Sequence, residues 1–251
     1  MEAYGPATYG DHIAEIYDER YAQRDPESAA LRLAELVGPG PVLELGIGTG
    51  RVAVPLAAHL APRGIAVHGV DASEAMVARL QERVGDESIP VVIGNMREVA
   101  APADEYSLIY VVFNTFFALL DQEAQVDCFA NVAARLASGG RFLIEAFVPD
   151  LSRFDHGQRT SAVTLTVDSV DLDVVTHDPV GQLVEGQHVL IRESRTTLLP
   201  VALRYAFPSE LDLMARLAGL TLETRDGGWA NEPFTAESGT HVSVWRRLAA
   251  T

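Results

Sequence analysis

The clearest indication of the fold is the segment Pro41-Val42-Leu43-Glu44-Leu45-Gly46-Ile47-Gly48-Thr49-Gly50. Its first half is a short apolar run of the kind that forms a strand buried on both faces. Three glycines at alternate positions follow at once, and residues 51–60 then have a helical pattern. Glycine lets a strand turn sharply into a helix and lets a ligand approach the backbone. The stretch therefore predicts a strand–turn–helix unit with a ligand at the turn.

Strands and helices alternate on both sides of this unit. Apolar runs predict strands at residues 41–45, 65–70, 90–93, 107–113 and 141–147. Helical spacing of apolar residues predicts helices at residues 29–37, 51–60, 74–84 and 122–136, and Ser73 is a suitable N-cap for the third of them. A helix is also expected near the N-terminus, where Tyr9, Ile13, Ile16 and Tyr17 share a face. This alternation is typical of an α/β fold with a parallel sheet covered on both faces.

The pattern changes after Pro149. Apolar and polar residues alternate over residues 161–170, 172–175, 183–192 and 196–205, with turn residues between them. We predict an antiparallel β insertion here, followed by a helix at 209–218 and two strands at 220–225 and 241–247. Asp168, Asp171 and Asp173 alternate with apolar residues of the insertion. They predict a solvated sheet face rather than a metal site, and we expect no metal.

The composition excludes several function classes. The 251 residues include 19 Lys+Arg against 35 Asp+Glu, for a net charge of −16, and every one of the 19 is arginine. An acidic chain is unsuited to nucleic acid. Without lysine, a Walker A loop and a Schiff base are impossible, and no G-x-S-x-G or H-E-x-x-H occurs. We expect no basic leader and no membrane partner, hence a cytoplasmic location, and we interpret Cys128 as a buried structural thiol.

Other residues near the predicted carboxyl edge of the sheet suit a nucleoside. The spacing Gly46-x-Gly48-x-Gly50 departs from the dinucleotide pattern G-x-G-x-x-G, whose third glycine would fall at Arg51. Asp71 ends the second strand, where a carboxylate can accept both ribose hydroxyls. Gly94-Asn95-Met96 follows the third strand, where an adenine edge would lie.

These motifs together resemble the class I S-adenosylmethionine-dependent methyltransferases. Residues 42–50 look like motif I of that family, Asp71 matches its ribose-binding acid, and Gly94-Asn95-Met96-Arg97 resembles its adenine-reading segment. The family usually has an acid where this chain has Asn95. Phe113-Asn114 resembles the motif beside the methionine moiety, and Leu136-x-x-Gly139-Gly140 also matches. The resemblance covers residues 31–147 and 207–247, about two-thirds of the chain.

The resemblance implies a fold and a cofactor. The fold is a Rossmann-like, doubly wound, mostly parallel seven-stranded sheet with a reversed final hairpin, plus the antiparallel insertion after the fifth strand. The cofactor is S-adenosylmethionine. Its implied binding residues are Tyr9, Tyr17, Glu44, Gly46, Gly48, Gly50, Arg51, Asp71, Ala72, Met76, Asn95, Met96, Phe113 and Asn114.

The layout of the chain also resembles small-molecule methyltransferases, such as amino-sugar N-methyltransferases and glycine N-methyltransferase. Tyr9, Tyr17-Asp18 and the position of the insertion carry this likeness. It implies N-terminal lid helices in residues 1–37, a cofactor-binding domain in 38–150 and 206–251, and an insertion in 151–205 that covers the active site. A homodimer is a further expectation.

Methyl transfer is an in-line displacement at a sulfonium, in which an amine needs little help and a hydroxyl needs a base. The candidate catalytic residues are Tyr17, Glu145 and His156, and the candidate substrate-binding residues are His12, Phe117, Glu145, Phe147, Arg204 and Tyr205. Glu145 interrupts an apolar strand, and a buried carboxylate is costly unless it faces a crevice or an arginine. We expect methyl transfer to a small molecule, with nitrogen slightly ahead of oxygen, in secondary or specialised metabolism. The alternatives are an NAD(P)-dependent oxidoreductase, a methyltransferase-like fold without methyl transfer, and a non-catalytic binding protein.

Overall fold

A seven-stranded sheet and a four-stranded sheet organise the chain in the computed structural model, which describes residues 1–85, 89–99 and 101–248. The larger sheet contains β1 (Val42–Leu45), β2 (Val67–Asp71), β3 (Val91–Ile93), β4 (Tyr106–Val111), β5 (Leu136–Phe147), β10 (Leu220–Asp226) and β11 (Thr240–Arg247). The smaller sheet contains β6 (Gln158–Leu165), β7 (Ser169–Asp178), β8 (Leu183–Arg192) and β9 (Arg195–Arg204). The helices are α1 (Thr8–Ile13), α2 (Tyr17–Arg20), α3 (Glu27–Leu36), α4 (Ala53–Leu60), α5 (Glu74–Val84), α6 (Gln122–Arg135) and α7 (Pro208–Leu217).

The strand order of the larger sheet is β10-β11-β5-β4-β1-β2-β3. Neighbours from β3 to β5 pair in parallel, whereas β11 is antiparallel to both β5 and β10. The predicted seven-stranded sheet with a reversed final hairpin is thus confirmed. The chain leaves β1 for β2 and β3 on one side and later returns to β4 and β5 on the other. A crevice forms at such a reversal of strand order, outside the carboxyl ends of the strands.

Helices cover both faces of this sheet. Buried residues of α6 and α7 form one core with β4, β5 and β11, in which Phe129 packs its ring edge against Phe142 and Trp245. Residues of α3 and α4 form a second core on the other face. Cys128 lies fully buried in the first core, and burial raises its pKa, which agrees with a structural thiol.

Two stretches differ from the prediction. The expected N-terminal helix is divided into α1 and α2, although one side of both packs in a common apolar cluster. Strand β5 begins directly after α6, so Gly139 and Gly140 lie inside the strand instead of before it. Gly139 has φ +77°, and a Cβ on Gly140 would lie 3.0 Å from the backbone oxygen of Tyr106, so the two glycines allow a kink against β4. Periodicity alone carries no sign of this kink.

The insertion consists of four consecutive antiparallel strands, as predicted, but the predicted strand 161–170 is interrupted by the turn at residues 166–168 between β6 and β7. The N-terminal helices pack on it: Ile13 belongs to a buried cluster with Leu190 of β8 and Leu199 of β9. Arg20 of α2 also forms an ion pair with Asp171 of β7, at 3.1 Å between Nη1 and Oδ2. Among the described residues, no helix has the length and apolar character needed to cross a bilayer.

Candidate functional site

A cavity of about 750 Å³ lies at the carboxyl ends of β1, β2, β3, β4 and β5. The N-terminal helices and the inner face of the insertion sheet form its other walls. Its size is that of a ligand site, and its position is the crevice expected at the reversal of strand order. Two separate parts of the chain therefore cover one site on the larger sheet.

The glycine turn after β1 lines this cavity. Gly46, Gly48 and Gly50 all have left-handed backbone, with φ of +71°, +56° and +74°. Gly46 and Gly48 face the cavity, whereas Gly50 lies outside its wall. A Cβ on Gly50 would lie 2.3 Å from Cδ1 of Leu80, so this glycine allows close packing against α5. The expected ligand contact of Gly50 is not supported by its position.

Asp71 ties the glycine turn to the start of α5. Its Oδ2 accepts a hydrogen bond from the Gly48 N–H at 2.7 Å, and its Oδ1 accepts one from the Ser73 N–H at 2.8 Å. Burial raises the pKa of Asp71, against the effect of these bonds. Ala72 and Met76 line the cavity beside it. The carboxylate is thus held rigidly at the cavity wall, where a ribose hydroxyl could reach its remaining lone pairs.

Asn95 and Met96 follow β3 and also line the cavity. The Asn95 side-chain oxygen accepts a hydrogen bond from the Arg97 N–H at 2.9 Å, which fixes the amide. A carbonyl oxygen has two lone pairs, so it can accept a second bond from a ligand. The structure therefore brings the predicted adenine-reading segment to the same cavity as Asp71.

Glu44 and Arg51 lie at the other end of the glycine turn. Glu44 is only 3% exposed, its Oε2 accepts a hydrogen bond from the Tyr110 hydroxyl at 2.8 Å, and burial raises its pKa to about 8. Arg51 places its guanidinium 4.6 Å from the centre of the Phe113 ring, and its buried Nε has no partner among the described residues. A buried donor without a partner is costly. This end of the cavity can therefore accept a carboxylate.

An aromatic cluster from the N-terminal helices closes this end. The hydroxyls of Tyr9 and Tyr21 lie 3.0 Å apart, and the Tyr21 ring meets the rings of Tyr17 and Phe113 edge-on, each at 4.9 Å between centres. Burial raises the pKa of Tyr17 to about 12, so its hydroxyl stays protonated near neutral pH. Tyr21 and Arg24, whose guanidinium lies 4.9 Å from the centre of the Phe113 ring, also line the cavity, although the sequence pattern did not single them out. The helical spacing of Tyr21 from Tyr17 was the available signal for the first.

Phe113 and Asn114 form a strained turn after β4. Both are left-handed, with φ of +59° and +65°, which costs a non-glycine residue about 1–3 kcal/mol. Oε2 of Glu145 accepts a hydrogen bond from the Phe113 N–H at 2.8 Å, and Oδ1 of Asn114 accepts one from the Phe147 N–H at 2.7 Å. Glu145 lies outside the cavity wall. The expected catalytic and substrate roles of Glu145 are not supported, because its carboxylate holds this turn in place.

Three other expected site residues lie away from the cavity wall. The His156 side chain is 88% exposed beside Asp155, because it points out of the turn that leads into the insertion. His12 is exposed on α1, where its Nδ1 contacts the Thr8 carbonyl oxygen. Arg204 is buried in a network with Gln125, Gln182 and Glu210. A catalytic role for His156 and substrate contacts for His12 and Arg204 are therefore not supported.

The remaining expected substrate contacts are divided. Phe117 is fully buried in the core and packs its ring against Phe147 at 5.0 Å between centres, so it supports the wall without lining it. Phe147 and Tyr205 both line the cavity. The Tyr205 hydroxyl lies 2.9 Å from Nε2 of His177, which fixes the ring.

The prediction of a solvated acidic face on the insertion is wrong for two of its three residues. Asp171 is buried between Arg20 and Arg192, and Asp173 bonds to Nδ1 of His188 at 2.5 Å and lines the cavity. This face of the sheet is covered by the N-terminal helices and the cavity rather than by water. Asp168 is exposed, as predicted.

Comparison with known proteins identifies the family. Residues 42–140 match the family model described as "Methyltransferase domain". The structure of the CcbJ methyltransferase from Streptomyces caelestis is 39% identical, with a TM-score of 0.90, over 98% of this chain and 100% of that one. The chain belongs to the class I S-adenosylmethionine-dependent methyltransferases.

Other relatives of this methyltransferase are more distant. The cypemycin N-terminal methyltransferase of a Streptomyces species is 27% identical over 96% of this chain and 98% of its own. The SAM-bound amino pentose methyltransferase CalS10 from Micromonospora echinaspora has a TM-score of 0.70 at 19% identity, over 92% of this chain and 96% of its own. The similar proteins also include one named a sugar N-methyltransferase, KedS8 from Streptoalloteichus, and one named an O-methyltransferase. Family membership removes the oxidoreductase and non-catalytic alternatives.

The residues of this methyltransferase fit the cofactor of the family, S-adenosylmethionine. The unpartnered Arg51 Nε suits the carboxylate of a methionine moiety, and the Asp71 carboxylate suits a ribose. A Cβ on Gly48 would have Cε of Met76 as its nearest neighbour, at 3.4 Å, so a ligand can approach the backbone of the turn there. Arg51, Gly48, Asp71 and Asn95 all line the same cavity.

We expect Arg51→Met to weaken the binding of S-adenosylhomocysteine by about 1.5–3 kcal/mol, a loss of roughly tenfold to a hundredfold, because a charged hydrogen bond is removed. Binding of 5′-methylthioadenosine, which lacks the amino acid end, should stay unchanged. Calorimetric titration of both ligands into both proteins measures this. Equal weakening of the two ligands would instead assign Arg51 a purely structural role.

Proposed function

We propose that this methyltransferase transfers a methyl group to a nitrogen atom of a small molecule, in specialised metabolism. The shared cavity carries the proposal, because the glycine turn and the insertion sheet line the same space of about 750 Å³. A cavity of this size suits a cofactor together with a small acceptor. The cypemycin N-terminal methyltransferase supports nitrogen as the acceptor atom.

The cofactor-binding roles follow the wall of the cavity. Arg51 and Glu44 would hold the methionine end, Asp71 the ribose, and Asn95 and Met96 the adenine. The remaining contacts would come from Tyr9, Tyr17, Gly46, Gly48, Ala72, Met76, Phe113 and Asn114, which line the same cavity. When bound, the cofactor supplies a methyl group activated by a positively charged sulfur. The aromatic rings of Tyr17 and Phe113 suit such a charge and exclude water from it.

The protonation, bonding and exposure of the expected catalytic bases favour nitrogen as the acceptor atom. Tyr17 keeps its proton near neutral pH, Glu145 is bonded to backbone, and His156 is exposed. A neutral amine can attack without a base, whereas a hydroxyl needs one. Oxygen stays the second candidate because one histidine, His188, does line the cavity. An imidazole at that wall could accept a hydroxyl proton.

We also propose that residues 1–37 and 151–205 act as covers over a cofactor-binding domain formed by 38–150 and 206–251. Residues 86–88, 100 and 249–251 of that range lie outside the described residues. Three contacts support the idea: the Ser73 hydroxyl donates to Asp11 at 2.6 Å, the Thr49 hydroxyl donates to Asp18 at 2.7 Å, and Arg20 pairs with Asp171. They connect the N-terminal helices to both sheets. A homodimer, a cytoplasmic location and the absence of nucleic acid partners stay predictions.

The proposal is tested by incubating the protein with S-adenosylmethionine that carries an isotopically labelled methyl group. The acceptor panel pairs small secondary amines with alcohols of the same carbon skeleton, and mass spectrometry locates the label. We expect label on amines, and none when the Gly48→Val variant replaces the wild type. Label on the alcohols alone would replace nitrogen by oxygen in the proposal.

We expect S-adenosylhomocysteine binding to release a proton from Glu44 near pH 7. Burial raises the pKa of Glu44 to about 8, so in the free protein the carboxyl is mostly protonated below pH 8. An ammonium group bound beside it favours the carboxylate and lowers that pKa. Affinity should therefore rise with pH toward 8 and then level off, because above pH 8 Glu44 has already lost its proton.

Proton release is measured by calorimetry at pH 7 in phosphate and in Tris, which differ in ionisation enthalpy. The ionisation of Glu44 is also influenced by its neighbours Arg51, Asp71, Tyr17 and Tyr110, so the variant must change Glu44 alone. Glu44→Gln keeps an oxygen that can accept the Tyr110 bond, and it should abolish most of the release. If Glu44→Gln released the same number of protons, the released proton would be assigned to Asp71 instead, because burial also raises the pKa of Asp71.

A further inference from the structure

Three charged or polar side chains lie together on the wall that the insertion sheet forms in the cavity. Arg159 of β6, Asp173 of β7 and His188 of β8 all line it, on the face that also carries Val175 and Val201. Asp173 and His188 are directly opposite in the pairing of β7 with β8, so their side chains share this face. The three side chains are 22%, 21% and 20% exposed, respectively. We call these three residues the insertion triad.

The hydrogen-bonding capacity of Asp173 is largely used within the insertion triad. Its Oδ1 bonds to Nδ1 of His188 at 2.5 Å, and its Oδ2 lies 3.5 Å from an Nη2 of Arg159. Burial opposes ionisation, but the His188 bond and the charges of His188, Arg159 and Arg20 together lower the pKa of Asp173. Asp173 is therefore a carboxylate that is already neutralised, so it has little attraction left for a cation.

Within the insertion triad, Arg159 is the residue whose hydrogen-bond donors are largely unused. Its Nε is buried and has no hydrogen-bond partner among the described residues, and its Asp173 contact is long. A guanidinium has donors only and cannot lose its proton. Among the described residues, Nε2 of His188 has no hydrogen-bond partner, and an imidazolium there would donate from it on the same wall. The insertion triad thus offers hydrogen-bond donors to whatever fills the cavity.

The residues around the insertion triad indicate which chemical groups a ligand there would carry. Val175, Val184, Val201 and Leu203 surround the insertion triad with apolar surface. Toward the opening, Asp150 and Arg153 are exposed and offset each other in charge. The Nη groups of a single guanidinium, whose Asp173 contact is long, match a planar, singly charged group, whereas a phosphate dianion would require more positive charge than this wall provides.

We propose that Arg159 binds a carboxylate of the acceptor molecule, with His188 as a second contact and Asp173 as the residue that positions both. This rests on the proposed function, because it assumes that the acceptor occupies the half of the cavity under the insertion sheet. The acceptor class is then a small amine that carries a carboxylate next to an apolar body. The Arg159–carboxylate pair fixes the orientation of the molecule, and the nitrogen lies at its other end.

The test uses two probes with the same carbon skeleton, the anionic 3-phenylpropionate and the neutral 3-phenylpropionamide. Both are titrated into the full chain saturated with S-adenosylhomocysteine, by calorimetry and by NMR of protein labelled with ¹⁵N-arginine. The Nε–Hε resonance of Arg159 is assigned by through-bond correlation in the wild type, so this measurement needs no variant. We expect the acid to bind at least about tenfold more tightly than the amide and to move this resonance, which the amide leaves in place.

Arg159→Gln should remove the preference for the acid and leave S-adenosylhomocysteine binding unchanged. Arg195→Gln is the matched control, because Arg195 is an exposed arginine of the same sheet and lies outside the cavity wall. It should keep the preference. Supporting results are a shift of the Arg159 resonance with the acid alone and a preference lost only in Arg159→Gln.

Failure of this inference is distinguishable from failure of the proposed function. S-adenosylhomocysteine is titrated first on the same samples, and the probes are compared on the free protein if it does not bind. Absence of that binding contradicts the proposed function. Equal affinity for acid and amide, no binding of either probe, or an Arg159 resonance that the acid leaves in place overturns the carboxylate site.

Discussion

Gly48→Val is expected to abolish measurable binding of S-adenosylhomocysteine, with a loss of at least about a hundredfold, or about 2.7 kcal/mol. Gly48 lines the cavity, and its N–H is held by Asp71 at 2.7 Å. Its φ is +56°, and a Cβ there would lie 3.4 Å from Met76 Cε, so a branched side chain must extend into the ligand space. Calorimetric titration measures the loss.

Gly64→Val is the control for backbone strain. Gly64 also has left-handed backbone, with φ +66°, but no heavy atom lies within 4 Å of its Cβ position, and it lies outside the cavity wall. Both variants should lose stability by about 1–3 kcal/mol, measured by denaturant unfolding, because a β-branched residue is strained there. Only Gly48→Val should lose the ligand. Comparable affinity in the two variants would place the ligand away from the glycine turn.

Asp71→Ala is expected to weaken S-adenosylhomocysteine binding by about 1.5–3 kcal/mol, or roughly tenfold to a hundredfold, through the loss of charged hydrogen bonds to the ribose. A second cause adds to this. The same carboxylate accepts the N–H bonds of Gly48 and Ser73, so its removal also loosens the turn that approaches the ligand. Adenosine should lose affinity by a similar factor, because it contains the same ribose.

Ser73→Ala separates these two causes. The Ser73 hydroxyl caps α5 through the Met76 N–H and donates to Asp11, so its removal loosens the same corner but leaves the Asp71 carboxylate in place. We expect a smaller loss of affinity than in Asp71→Ala. Unchanged affinity in a folded Asp71→Ala protein would show that this carboxylate does not bind the ribose.

The strands of the larger sheet, and the residues that line the cavity around the glycine turn, could be predicted from the sequence because the signals for them are local. An apolar run followed by glycines, or a strand that ends in Asp71, gives both the element and the edge to which it points. Parallel strands then bring the glycine turn, Asp71, Asn95 and Phe113 to one crevice without further information.

The side of the cavity formed by the insertion sheet could not be predicted in the same way. The insertion triad depends on the pairing register of three strands, which the turns between them set. Glu145 and His156 show a second limit. A polar residue in an apolar strand indicates that a partner exists, but for Glu145 the partner is the Phe113 N–H rather than a substrate. His156 follows the correct strand, but its side chain points to solvent.

We expect the cavity at the glycine turn to bind S-adenosylmethionine for methyl transfer. The most direct test is calorimetric titration of the wild-type protein with S-adenosylhomocysteine, with NAD and NADP in parallel and Gly48→Val as the blank. We expect a single micromolar site for S-adenosylhomocysteine, no heat from either dinucleotide and no binding to Gly48→Val. Binding of a dinucleotide in place of S-adenosylhomocysteine, or undiminished binding to Gly48→Val, would contradict it.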